Sequence, residues 1–223
     1  MLDAESSAES LFRNELEGCT MNARDVTLGL RLAICSITVL CAVGAQAAAI
    51  HDAVGVANLK RVKKLLAAKP GLIYRKSLFG RIPLHYAALN GHTNVVKLLI
   101  ATELDLIKER LSSKERRKAK SANVNVQDNE GKTPLHLSAL KGHKEVVRLL
   151  IARGAKVMAT TKFGDTPLHC AAGEGHKDVV ELLIAKEADV NARDGRNKTP
   201  LYLASERGHA KVADLLRKHG AKF

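Results

Sequence analysis

The sequence predicts an all-α fold, a solenoid of about five helix–turn–helix units, and three observations point to it. The first is composition: 46% of the 223 residues are apolar, yet only 3% are aromatic and none is Trp. A core of Leu, Val, Ile and Ala favours close helix packing over a β-sandwich or barrel, which draws on aromatic residues. The second is a block of residues that recurs along the chain. The third is the constant 33-residue spacing of its later copies.

The recurring block begins with a proline-containing signature and ends in an apolar run. Its copies are IPLHYAALNGHTNVVKLLIA (82–101), TPLHLSALKGHKEVVRLLIA (133–152), TPLHCAAGEGHKDVVELLIA (166–185) and TPLYLASERGHAKVADLLRK (199–218). Their prolines are 51, 33 and 33 residues apart, so the first interval is one period plus an insertion of 18 residues. Residues 50–67 are a degenerate copy without the Thr-Pro start. One unit cannot bury its own apolar face, so the copies are expected to stack.

Each copy predicts two helices. Thr133, Thr166 and Thr199 lie where a helix N-cap is needed, and the following Pro suits the first helical position. The Gly of each Gly-His pair can take the positive φ that ends the first helix. The V-V-x-L-L run then marks the buried side of an antiparallel second helix.

The insertion, at about residues 102–120, begins as a continuation of a helix. Leu104, Ile107 and Leu111 lie at helical spacing, so the second helix of that repeat is expected to extend. The basic stretch SSKERRKAKS follows.

The T-P-L-H, G-H and V-V-x-L-L elements, recurring in register, resemble the ankyrin repeat family over nearly all of residues 50–223. The resemblance implies an ankyrin-repeat solenoid whose units are connected by β-turn fingers. It implies that the signature histidines His85, His136 and His169 bridge neighbouring turns. It also implies a non-enzymatic interaction module that binds a partner protein through turn tips and the concave face of the first helices.

Carried over position by position, the resemblance gives partner-binding candidates. Those at the turn tips are Leu78, Phe79, Arg81, Asn129, Glu130, Lys132, Lys162, Phe163, Asp165, Arg196 and Lys198. Those on the first helices are Leu89, Asn90, Lys141, Glu174 and Arg207. Phe79 and Phe163 are the most specific of these candidates, because each precedes a turn glycine. At that position a ring gains little from packing on the core and can anchor a partner. The alternative is that each ring packs on the adjacent turn.

Residues 1–47 are predicted to be an N-terminal extension with a signal peptide, followed by the repeat domain at 48–223. No residue from Leu32 to Ile50 is charged, Arg24 and Arg31 precede this run, and Ala45-Gln46-Ala47 has the small residues of a cleavage site. A start at Met21 instead of Met1 would give ordinary signal length. The alternative is a membrane anchor, since 19 uncharged residues just span a bilayer. We expect an exported protein, periplasmic or secreted, if the segment is cleaved, and a membrane-anchored one if it is retained.

No catalytic, cofactor or metal site is predicted. The histidines recur once per unit, whereas metal ligands must converge in one place. Cys170 follows His169, but no oriented base or third group accompanies it. No phosphate-binding or dinucleotide-binding motif occurs.

The charge is strongly basic. The chain carries a net +13, and residues 48–223 alone carry 33 basic and 17 acidic residues, a net +16. Three interpretations stay open: a solvated face, a surface for an acidic protein or anionic membrane, and a nucleic-acid site that includes the basic stretch. Only seven Phe and Tyr residues occur, which disfavours a stacking platform for nucleic acid. We therefore expect an acidic protein as the partner in preference to nucleic acid, and contact with a membrane only through an uncleaved N-terminal segment. The chain itself is expected to be a monomer.

Overall fold

The computed structural model describes residues 48–110 and 124–223, with side chains throughout except at 107–110. All of these residues belong to one compact unit, Gln46–Phe223. The predicted signal peptide or anchor (1–47) and the whole basic stretch SSKERRKAKS (112–121) lie outside the described residues. In the described ranges, no helix is both long and apolar enough to cross a bilayer.

The described residues form pairs of helices and contain no β-strand. The degenerate first copy forms α1 (48–55) and α2 (Leu59–Ala68), followed by a 3₁₀ turn (Pro70–Tyr74). The four complete copies form α3 (Pro83–Leu89) and α4 (Thr93–Arg110), α5 (Pro134–Leu140) and α6 (Lys144–Ala152), α7 (Pro167–Gly173) and α8 (Lys177–Ile184), and α9 (Pro200–Glu206) and α10 (Ala210–Lys218). The predicted all-α repeat solenoid is confirmed.

The ends of the first helices follow the local rules that the sequence predicts. Thr133, Thr166 and Thr199 are N-caps, each with Pro at the first helical position. The Thr199 hydroxyl accepts a hydrogen bond from the Tyr202 N–H at 3.2 Å. Beyond each first helix the glycine of the Gly-His pair has a positive φ, 72° at Gly142, which an L side chain rarely adopts.

The helices stack in two rows around one continuous apolar core. Each first helix packs on the next one, from α3 to α9, and the second helices from α4 to α10 form a parallel row behind them. On α6 the core residues are Val146, Val147 and Leu150, as the V-V-x-L-L pattern predicts. α4 is 18 residues long and reaches Arg110, which confirms that the inserted sequence begins by extending this helix.

Candidate partner-binding surface

Four tight turns connect the repeats, and we call them fingers 1 to 4: residues 77–81, 128–132, 161–165 and 194–198. In each finger the first N–H donates to the carbonyl of the fifth residue, at 2.9–3.0 Å. The fourth residue has a positive φ; it is Gly in fingers 1 to 3 and Asn197, with φ 63°, in finger 4. Asn tolerates this conformation better than most residues do, so all four fingers keep the same turn.

The first side chain of a finger fixes the turn from within. In finger 2 the Asp128 Oδ1 accepts from the N–H groups of Glu130 and Lys132, both at 2.9 Å. The Asp128 Oδ2 accepts from the Arg81 Nε at 3.0 Å, which ties finger 2 to finger 1. Burial alone would raise the pKa of Asp128, but Arg81 and the two N–H groups together hold this pKa below its ordinary value. Thr161 and Asp194 make the equivalent pairs of bonds in fingers 3 and 4.

Backbone hydrogen bonds join the fingers into one row. The Asn129 N–H donates to the Phe79 carbonyl at 3.0 Å, and the Gly195 N–H donates to the Phe163 carbonyl at 2.7 Å. A third bond, from the Lys162 N–H to the Glu130 carbonyl at 3.0 Å, links fingers 2 and 3. Side chains at the fingertips are therefore presented by a connected frame, which lowers the entropy that a partner must remove on binding.

The signature histidines lie beneath this row. The His136 Nδ1 accepts from the Thr133 N–H at 3.2 Å, so its Nε2 carries the proton and donates to the Asp165 carbonyl in the next finger at 3.0 Å. His85 and His169 make the same contacts one finger earlier and later. These bonds confirm that the signature histidines bridge neighbouring turns. Burial lowers the pKa of His85 and of His136 to about 4, so both are neutral at pH 7.

A second set of histidines joins each repeat to the one before it. The Nε2 of His143 contacts the Leu89 carbonyl at 3.0 Å, and the Nε2 of His176 contacts the Leu140 carbonyl at 3.0 Å. His92 and His209 make the same type of bond. Within the part of the chain that the structure describes, no cluster of His, Cys, Asp or Glu could hold a metal ion. Burial raises the pKa of the Cys170 thiol to about 12, so it stays protonated and is a poor nucleophile.

The apolar fingertip candidates point to solvent. Leu78 is 96% exposed, Phe79 64% and Phe163 61%. The Arg81 guanidinium lies 5.7 Å from the centre of the Phe79 ring, within cation–π range. Neither ring is buried against a neighbouring turn, so both leave most of their apolar area free.

Several polar candidates are held by partners within the chain. Lys132 pairs with Glu130, and Lys198 pairs with Glu206 at 2.8 Å. The Arg207 guanidinium pairs with Glu174 and donates to the Gly173 carbonyl at 3.2 Å. Two amide side chains bind backbone carbonyls, Asn129 that of Leu78 and Asn90 that of Gly55. Asp165 supplies the carbonyl that His136 binds, and Leu89 is half-buried.

The other three cationic candidates have no acidic partner among the described residues. Among the described residues, no carboxylate lies within 4.0 Å of Lys141, Lys162 or Arg196, and all three are exposed. Lys162 directly precedes the exposed Phe163, and Arg196 lies in the next finger. The structure therefore brings an apolar ring and unpaired positive charge together at fingers 3 and 4.

Sequence reasoning missed some residues that shape the stack. His51 bridges to the Arg75 carbonyl at 3.1 Å and so takes the signature role in the degenerate first copy. The signal was its alignment with His85 at an interval of 34 instead of 33. In the same alignment Ala57, with φ 55°, replaces the glycine of the Gly-His pair.

A second missed series is Asn125, Met158 and Asn191, spaced by 33 residues. The Asn125 side chain bonds the Gly154 carbonyl at 3.0 Å and the Lys156 N–H at 2.8 Å. Asn191 makes the same pair of bonds with the next repeat, whereas Met158 contributes only one contact through sulfur.

The comparison with known families agrees with this geometry. The model of ankyrin repeats, in three copies, matches residues 50–161 and 153–223. The chain belongs to the ankyrin repeat family. Ankyrin repeats are protein-interaction modules, and the ankyrin fold is not catalytic.

This ankyrin repeat protein is similar to segments of several known proteins. It is 34% identical over 93 residues to the E3 ubiquitin-protein ligase XBAT32 of Arabidopsis thaliana, covering 38% of this chain and 18% of the ligase. It is 33% identical over 110 residues to the probable 26S proteasome regulatory subunit p28 of Saccharomyces cerevisiae, covering 48% of this chain and 40% of that subunit. It is 37% identical over 83 residues to the human transient receptor potential cation channel subfamily A member 1, covering 37% of this chain and 6% of the channel. The chain thus spans less than half the length of each of these relatives.

Proposed function

We propose that this ankyrin repeat domain is a non-enzymatic adaptor that binds an acidic partner protein through its fingers and first helices. The observation that carries the proposal is the row of fingers, which holds Leu78, Phe79 and Phe163 exposed on hydrogen-bonded turns. Large apolar side chains that are rigidly presented and free of the core are the usual anchors of a protein interface.

The charge at the fingers favours an acidic partner. Lys162 and Arg196 have no carboxylate within 4.0 Å among the described residues, so their charge is available to a ligand. Charge at the rim of an interface mainly raises the association rate, and salt weakens this effect. The Phe79 and Phe163 rings are expected to set the dissociation rate, because separating the two proteins would expose their buried apolar area to water again.

The proposal is tested by crosslinking in cells. A photo-reactive phenylalanine analogue replaces Phe163, and in a matched strain it replaces Phe223, which is 65% exposed but lies outside the fingers. We expect a covalent adduct with one protein from position 163 and none from position 223. Equal adducts from both positions would contradict a finger-centred interface.

The captured protein is then measured against purified variants. Phe163→Ala should weaken binding about 30-fold, mostly through faster dissociation, since an anchor residue contributes about 2 kcal/mol. Lys162→Gln should mainly slow association, and less so at high salt. Phe223→Ala is the control, and a loss as large as that of Phe163→Ala would refute the assignment.

The compartment in which this adaptor works remains a proposal. We propose export by cleavage after Ala47, on the sequence pattern of residues 21–47. Mass spectrometry of the protein from its native cells should find an N-terminus near Ala48. An intact peptide that spans residues 45–50 would favour the anchor instead.

A further inference from the structure

The first repeat carries a basic surface on α2. Four exposed cations form it: Lys60, Arg61, Lys63 and Lys64. At 100° per residue they fall within an arc of about 160° around the helix. Val62 and Leu66 lie on the other side and are buried. All four charges therefore share the solvent face of one helix, which we call the α2 face.

The sequence around α2 has a large excess of positive charge. Between Asp52 and Glu103 there are nine Lys or Arg residues and no Asp or Glu. Residues 124–223, twice as long, carry 17 basic and 12 acidic residues and form six ion pairs among themselves. No carboxylate of the described residues lies within 4.0 Å of the four α2 cations. Positive charge is therefore concentrated in this part of the sequence, and the four α2 cations form no ion pair among the described residues.

The α2 face is fixed before any ligand binds. The Asn58 side chain caps the helix by accepting from the Arg61 N–H at 3.0 Å, and the 3₁₀ turn packs on α2. Val56, in the turn that leads into α2, is 73% exposed, and the exposed cations Arg75 and Lys76 follow the 3₁₀ turn. The helix thus presents several charges on a preformed backbone, and the turn before it presents an exposed aliphatic side chain.

We propose that the α2 face binds the surface of an anionic lipid bilayer, a role beyond the adaptor function of the fingers. A surface dense in lipid phosphates and carboxylates can meet several cations on one helix face at once, and each contributes about 1 kcal/mol near such a leaflet. No aromatic ring lies on α2 to stack on a base, which favours lipid over single-stranded nucleic acid.

The experiment is flotation of the mature protein that the proposed cleavage produces, residues 48–223, which lie in one compact unit. Two kinds of vesicle are used, pure phosphatidylcholine and phosphatidylcholine with about one-third phosphatidylserine. The test variant is Lys60→Gln/Lys63→Gln/Lys64→Gln. The matched control is Lys211→Gln/Lys218→Gln/Lys222→Gln, which removes three exposed cations from the last repeat. We expect binding to the anionic vesicles to fall about 100-fold in the test variant and less than about threefold in the control.

Three results would overturn the proposal. Equal partition into neutral and anionic vesicles would mean that charge plays no part. Equal losses in the two triple variants would show that net charge, and not the α2 face, governs binding. A single-stranded RNA oligonucleotide that binds through the three lysines while anionic vesicles do not would assign the face to nucleic acid. Circular dichroism of both triple variants should match the parent, since all six side chains are exposed.

Discussion

Two glycines at equivalent positions allow the coupling between repeats to be measured. Gly142 and Gly208 both follow a first helix, with φ of 72° and 76°. A Cβ at Gly142 would lie 2.5 Å from the His176 Nδ1 of the next repeat. At Gly208 no described residue other than its own chain neighbours has an atom within 4 Å of that position. The two sites share the backbone conformation and differ in the neighbour.

Replacement by Ala should therefore cost different amounts of stability. At Gly208 the cost is that of a left-handed conformation in a residue with a side chain, about 1 kcal/mol. At Gly142 the imidazole of His176 must also move, which breaks its 3.0 Å hydrogen bond to the Leu140 carbonyl. Losing such a bond adds about 1–2 kcal/mol. Gly142→Ala should then lower the free energy of unfolding by about 2–3 kcal/mol.

Urea unfolding followed by far-UV circular dichroism measures both losses. A double-mutant cycle separates the contact from the position in the stack. In a His176→Ala background the imidazole is gone, so Gly142→Ala should cost only about 1 kcal/mol. The coupling energy of the cycle should be about 1–2 kcal/mol. Equal losses at Gly142 and Gly208, together with no coupling to His176, would refute the idea that this ring joins the repeats.

Three further predictions concern stability. Burial lowers the pKa of His85 and His136 to about 4, so both favour the folded state above pH 6.5 and lose this contribution as the pH falls towards 4. The free energy of unfolding, measured by urea titration, should therefore fall by about 2 kcal/mol per histidine by pH 5. An unchanged free energy of unfolding would contradict this prediction. Glu187 has a φ of 61° at a position where the repeats on either side have glycine. Glu187→Gly should therefore raise the free energy of unfolding by about 0.5–1 kcal/mol. A lower free energy of unfolding would show that the backbone of Glu187 is not strained. Met158→Asn should add the pair of backbone hydrogen bonds that Asn125 makes. The free energy of unfolding should rise by about 1 kcal/mol, which raises the thermal midpoint by several degrees. A lower midpoint would mean that the packing of the thioether is worth more than the hydrogen bonds of the amide.

Much of the fold could be predicted because each repeat carries its own local signals. Thr133 and Pro134 cap a helix through short-range geometry, and Gly142 ends it through its backbone freedom, so neither signal needs knowledge of distant contacts. The 33-residue spacing then fixes which faces meet, since identical units must stack in the same way. The role of His51 could not be predicted, because its copy departs from the period by one residue and lacks the Thr-Pro signal.

The candidate surface was harder to predict, because the sequence does not say which charges are already neutralised. Lys162 and Lys198 are both finger cations in the sequence, yet Lys198 lies 2.8 Å from Glu206 and Lys162 has no such neighbour among the described residues. The pair at Lys198 joins a finger to a first helix eight residues away, so its formation depends on how the two elements pack. Burial and pairing thus divide the polar residues of each repeat into two groups. The first group, typified by His136 and Asp128, is used up in joining the repeats and cannot change without loss of stability. The second group, which includes Lys162 and the cations of the α2 face, is free to change. These cations and the exposed apolar side chains of the fingertips are therefore the places where binding specificity is expected to evolve.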